Sequence, residues 1–133
     1  MIDWQDSPKG RIPYSVQLEL AEAALARQPG SPRLLASIGV LHERLRRPRK
    51  ALAALEASLT ADPDGFEAWA ELARVRAHTG DVEAAMLVCR IGLERLPRAN
   101  IARVWGNLLA AQNRLDAALV AYRLALDLPG FDI

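Results

Sequence analysis

The sequence predicts an all-α solenoid of antiparallel helix pairs, about seven helices wound into a right-handed superhelix. Three observations carry this. Leu35, Ile38, Gly39, Ala51, Leu55, Ser58 and Pro63 recur 34 places later as Trp69, Leu72, Ala73, Ala85, Cys89, Gly92 and Pro97. Another 33 places on, Ala102, Trp105, Gly106, Ala118, Tyr122 and Ala125 hold the same register. Such self-similarity marks a stacked two-helix unit that cannot bury its apolar face alone. Of the 133 residues 51% are hydrophobic but only 5% aromatic, and alanine and leucine supply much of the rest, which favours close-packed helices over sheet. Glycine, asparagine and proline fall at the ends of the helical stretches, where they act as breakers.

Residues 1–13 contain Pro8, Gly10 and Pro13 and read as an irregular arm anchored by Trp4. From Tyr14 to Gln28, Leu18, Ala21, Ala24 and Leu25 follow helical spacing until Pro29-Gly30 stops the helix. Ala21, Ala24 and Pro29 precede Leu55, Ser58 and Pro63 by 34, so this is the second helix of a repeat whose first helix is absent. Ser31 is an N-cap with Pro32 in the first turn, opening a helix that runs to about Arg44. Leu45 to Arg49 form a turn, and Lys50 to Ala61 lie in the partner helix. The second repeat begins at Asp64, with Glu67 completing a capping box, and its first helix reaches about Thr79. Gly80 suits a left-handed C-cap, and Asp81 caps a return helix that ends before Pro97. The third repeat runs from about Ala99 to Gln112, turns at Asn113, and returns from about Leu115 to Leu128. Asparagine replaces glycine at such a turn because it tolerates positive φ. Residues 14–133 are therefore expected to form a single repeat domain.

These residues resemble the tetratricopeptide repeat, with three units plus an N-terminal half. That unit carries a large apolar residue and then a Leu-Gly or Leu-Ala pair in its first helix. Its second helix holds an alanine, a large residue and another small one before a closing proline. The middle repeat fits best, through Trp69, Leu72-Ala73, Gly80-Asp81, Ala85, Cys89, Gly92 and Pro97. Arg46 departs from the pattern where a turn glycine is expected, and His42 replaces a packing tyrosine. The resemblance implies a concave groove, lined by the first helix of each repeat, that holds an extended or helical peptide. By register its partner-binding residues would be Arg33, Val40, Arg44, Glu67, Ala70, Glu71, Arg74, His78, Asn100, Arg103 and Asn107. Ala36, Glu43, Ala77, Ala110 and Ala111 would lie among them. The spacing independently supports shared faces, since Ala36, Val40 and Arg44 stand four apart, as do Ala70, Arg74 and His78. Val40, Arg74 and Asn107 should form one row across neighbouring helices, and Ala36, Ala70 and Arg103 another. Where some family members grip chaperone C-termini with lysine and asparagine, this chain has Ala36, Val40, Glu71, Asn100 and Val104, so that clamp is absent.

Other functions find little support in the residues. With 17 basic and 16 acidic side chains, net charge is +1, which gives no field to steer nucleic acid or an anionic membrane. The basic turn of Arg44, Arg46, Arg47, Arg49 and Lys50 reads as a solvated loop, and Trp69 and Trp105 stand in packing register rather than as stacking platforms. His42 and His78 lack the further ligands that zinc requires, so no metal or cofactor is expected. Cys89, the single cysteine, reads as a small core hydrophobe. Glu67 and Glu71 share a helix without a proton-handling partner, and no nucleophile–base pair or glycine-rich phosphate loop is present, so the chain is not expected to be an enzyme. The N-terminus carries acids where a signal peptide needs positive charge, and no apolar run reaches the length of a membrane span, which points to the cytoplasm. The expected function is a protein-interaction module, an adaptor or scaffold holding a partner segment in its groove. The alternative is a structural or docking domain cut from a larger protein or an enzyme-associated assembly, contacting partners through its ends. Leu119, Tyr122, Leu126 and Leu128 make the last helix apolar enough for that, or for pairing with a second copy.

Overall fold

The computed structural model describes residues 12–130, and the expected arm and its Trp4 lie largely outside that range. Seven α-helices account for the described residues: α1 (Tyr14–Arg27), α2 (Pro32–Arg44), α3 (Pro48–Ala61), α4 (Phe66–His78), α5 (Val82–Arg95), α6 (Ala99–Ala111) and α7 (Leu115–Asp127). The chain divides after Gly65 into two compact units.

In the first unit α1 packs on α2 and α2 on α3. Leu18, Ile38 and Leu41 form its core, with Tyr14, Ala21, Leu25, Leu45 and Ala54 around them. Ser31 caps α2 by accepting the Leu34 N–H at 3.3 Å. The Ser58 hydroxyl, buried on α3, donates to the Pro32 carbonyl at 2.7 Å and ties the two helices together at the N-terminal end of α2. Helix α3 begins at Pro48, two residues earlier than the spacing suggests, because proline is pre-set for the first helical position, where it needs no N–H.

In the second unit α4 pairs with α5 and α6 with α7, and α6 also packs on both α4 and α5. Its largest core cluster joins Ala70 and Ala73 of α4, Ala85 and Cys89 of α5, and Ile101, Val104 and Leu108 of α6. Smaller clusters seat α7 through Ala118, Ala121 and Ala125. Helix α4 starts at Phe66 rather than at Asp64. The Asp62 carboxylate accepts the Asp64 N–H at 3.0 Å, an Asx turn in the segment that precedes α4. Asp81 caps α5 as expected, accepting the Ala84 N–H at 3.1 Å.

The intra-repeat turns share one geometry. Arg46, Gly80 and Asn113 have φ of 61°, 89° and 59°. Each donates its N–H three residues back, to Glu43, Ala77 and Ala110, and the next residue donates five back, to His42, Arg76 and Leu109. This is a Schellman closure repeated three times, and it satisfies carbonyls that would otherwise be orphaned at the helix ends.

Candidate functional site

Each unit presents part of the expected face. In the first, α2 carries Arg33, Val40 and Arg44. Arg33 is exposed and, with Leu20, Ala24, Arg27 and Leu34, lines an open cavity of about 560 Å³ between α1 and α2. Val40 is half-buried. The Arg44 guanidinium lies over the Tyr14 ring, 5.5 Å from its centroid, and donates to the Tyr14 hydroxyl at 3.2 Å. Arg44 is thus engaged by α1, a contact spanning 30 residues that spacing along α2 could not reveal.

In the second unit α4 and α6 supply the remaining positions. Glu67 and His78 are on the accessible side of α4, while Glu71 and Arg74 are half-buried and joined by an ion pair at 3.1 Å. Ala70, expected on the open face, is only 4% exposed and sits in the core with Ile101, Val104 and Leu108. Here a small residue marks a close helix contact, where α6 covers the backbone of α4, rather than room for a ligand.

On α6 the Asn100 amide donates to the Phe66 carbonyl at 3.4 Å and its oxygen accepts the Ile101 N–H at 3.0 Å, so both ends of that side chain serve the fold. Arg103 and Asn107 are exposed one turn apart. The Asn107 oxygen accepts from the Tyr122 hydroxyl at 2.6 Å. Arg103 has no partner among the described residues. The face therefore offers one untethered cation, one amide oriented by a tyrosine, a carboxylate at Glu67 and a pre-formed Arg74–Glu71 pair.

Away from this face the notable polar groups are either packed into the fold or solvated. Cys89 is fully buried, and desolvation pushes its thiol up to about 12, which suppresses thiolate reactivity near neutral pH. Within the basic turn Arg46, Arg47, Arg49 and Lys50 reach solvent. Arg98, which the sequence reading passed over, lies over the Phe66 ring at 4.1 Å and braces the entry to α6. Among the described residues no group of three or more His, Cys, Asp or Glu side chains could hold a metal ion. None of their helices is long and apolar enough to cross a membrane.

A tetratricopeptide-repeat family model matches residues 37–100, from within α2 to the start of α6. Over that stretch the chain carries tetratricopeptide repeats. Its fold is similar to that of MamA, with a TM-score of 0.72 at 15% identity, covering 86% of this chain and 67% of that one. It is also similar to TTC0263, a thermophilic TPR protein of Thermus thermophilus, with a TM-score of 0.77 at 21% identity, covering 86% of this chain and 65% of that one. At these identities the likeness is one of fold. The chain spans about two thirds of the length of these structures. No curated protein matches it by sequence. Tetratricopeptide repeats form a fold of protein–protein interaction modules, generally scaffolds rather than enzymes.

Proposed function

We propose that the chain is an adaptor or scaffold that holds a segment of a partner protein against the first helices of its repeats. In the second unit the contact is centred on Arg103 and Asn107, with Arg74, Glu71 and Glu67 on α4. The observation that carries this reading is the untethered, exposed Arg103 beside a pre-oriented Asn107. Asn107, already held by Tyr122, costs little ordering on binding, whereas the contact that Arg103 makes must also order its side chain. Arg33, Val40 and His78 are assigned to the same role on the faces of their own helices. Ala70 is not, because it is buried.

The test is affinity for a partner captured with this chain, compared between wild type and Arg103→Glu. Reversal should weaken binding by about 1.5–3 kcal/mol if the guanidinium bonds the partner in a desolvated contact. The melting temperature should stay the same, since Arg103 supports no part of the fold. Unchanged affinity at an unchanged melting temperature contradicts the reading.

A second reading, docking through the last helix, is favoured by the outer face of α7. Leu115, Leu119, Val120 and Leu126 are 62%, 49%, 65% and 59% exposed. Leu119 and Leu126 correspond in register to Met86 and Leu93 of α5, which are half-buried in the clusters that join α5 to α6 and α7. An apolar stripe of this kind marks a contact surface. Substituting Leu119 and Leu126 by glutamate should abolish partner capture under this reading and leave it intact under the first.

A further inference from the structure

Tyr122 belongs to α7, yet its hydroxyl reaches Asn107 on α6, and the route it takes is specified by Gly106. A Cβ on Gly106 would stand 2.6 and 2.7 Å from two carbons of the Tyr122 ring. The ring therefore lies flush on the α6 backbone, a position open to it because residue 106 has no side chain. From there its hydroxyl donates to the Asn107 oxygen at 2.6 Å. A carboxamide has one acceptor end and one donor end, and this bond turns the acceptor end toward Tyr122. The amide NH2 is left as the group that Asn107 can offer to a ligand. One turn earlier the exposed Arg103 offers a guanidinium, which donates and never accepts.

We propose that Tyr122 is a positioning residue that sets Asn107 as a hydrogen-bond donor. With it in place α6 presents the donors of Arg103 and Asn107 together, and takes the carboxylate of an acidic side chain in an extended peptide. This rests on the groove reading above and adds to it the sign and chemistry of the ligand. A guanidinium and an amide NH2 converging on one carboxylate form charge-assisted bonds that a neutral glutamine side chain matches poorly. The same pairing disfavours a lysine or arginine in the partner at that point.

The experiment has two arms on the same 15N-labelled chain. The first needs no ligand and compares side-chain amide relaxation of Asn107 in wild type and Tyr122→Phe, which keeps the ring over Gly106 and removes the hydroxyl. The Asn107 amide should be rigid in wild type and mobile in the variant, at equal melting temperature. Equal mobility in both overturns the positioning role. The second arm titrates two amidated peptides, acetyl-Ala-Ala-Glu-Ala-Ala and its glutamine counterpart, and follows the α6 resonances. The glutamate peptide should bind several-fold more tightly, and Tyr122→Phe should weaken it roughly three- to tenfold, as expected for losing the orientation of one bonded group. Arg103→Gln should erase the preference for glutamate over glutamine. If the glutamate peptide moves the α6 resonances but binds Tyr122→Phe equally well, the positioning role is overturned while the groove reading stands. If neither peptide moves them, carboxylate recognition at this face is overturned, whatever the first arm gives.

Discussion

At position 42 an imidazole stands where the family pattern places a packing tyrosine, and its burial has a thermodynamic consequence. His42 is 9% exposed, and its Nδ1 has no hydrogen-bond partner among the described residues. Desolvation, followed by the charge of Arg47, lowers its pKa below the ordinary 6.5; Glu22 opposes the shift and Lys50 adds to it. Because the folded-state pKa is depressed, the unfolded chain binds the proton more readily. The stability held at neutral pH is present above the unfolded value of 6.5 and is lost as pH falls from there through the folded pKa. Urea midpoints should therefore fall between about pH 7 and pH 5, and His42→Phe should flatten that slope. An equal slope in the variant would assign the acid sensitivity to other groups. Residue-scale fit also explains which small residues face the second helices. Gly39 and Gly106 lie against Leu55 and Tyr122, whereas Ala73, at the equivalent place, shares its cluster with the smaller Cys89. Alanine is tolerated where the opposing side chain is short. Gly106→Ala would drive a methyl into the Tyr122 ring and should cost about 1–3 kcal/mol by overpacking. A thermal melt checks this, and an unchanged midpoint would mean the ring moves aside freely.

Among the elements, the three intra-repeat turns show how far local sequence determines local structure. Gly80 and Asn113 are residues that accept positive φ, and the turns were legible from them. Arg46 has no such preference, yet it takes φ of 61° because the flanking helices are held by Leu41, Ala51 and Leu55 in the core. Tertiary packing imposes the left-handed conformation there, against a cost of about 1–2 kcal/mol for a residue with a Cβ. Arg46→Gly should remove that strain, and after the greater unfolded-state freedom of glycine should stabilise the chain by about 0.5–1 kcal/mol. A denaturant midpoint that falls instead would show that the Arg46 side chain contributes more than its backbone costs. The helices themselves were legible because the 34-residue repeat fixed their order and their buried stripes together. Their starts were less so. Ahead of α4 the Asp62 carboxylate takes the Asp64 N–H, a side-chain contact in the linking turn that periodicity does not register.

For the molecule as a whole, register on the first helices led to positions such as Arg103 and Asn107, but not to what those side chains already touch. Arg44 is held by Tyr14, 30 residues away, and Asn107 by Tyr122, 15 residues away. Such pairings depend on how helices pack and leave no periodic trace. Ala70 shows the complementary difficulty, since an alanine reads alike whether it opens a groove or lets a neighbouring helix approach. The two functional readings place the partner on different elements, α4 and α6 in one and α7 in the other, and exchange kinetics separate them. The most direct measurement is backbone hydrogen exchange of the full chain with and without a captured partner. The groove account predicts slowed exchange in Phe66–His78 and Ala99–Ala111 on binding, with Leu115–Asp127 unchanged. Protection confined to Leu115–Asp127 would contradict it and assign partner recognition to the apolar face of the last helix.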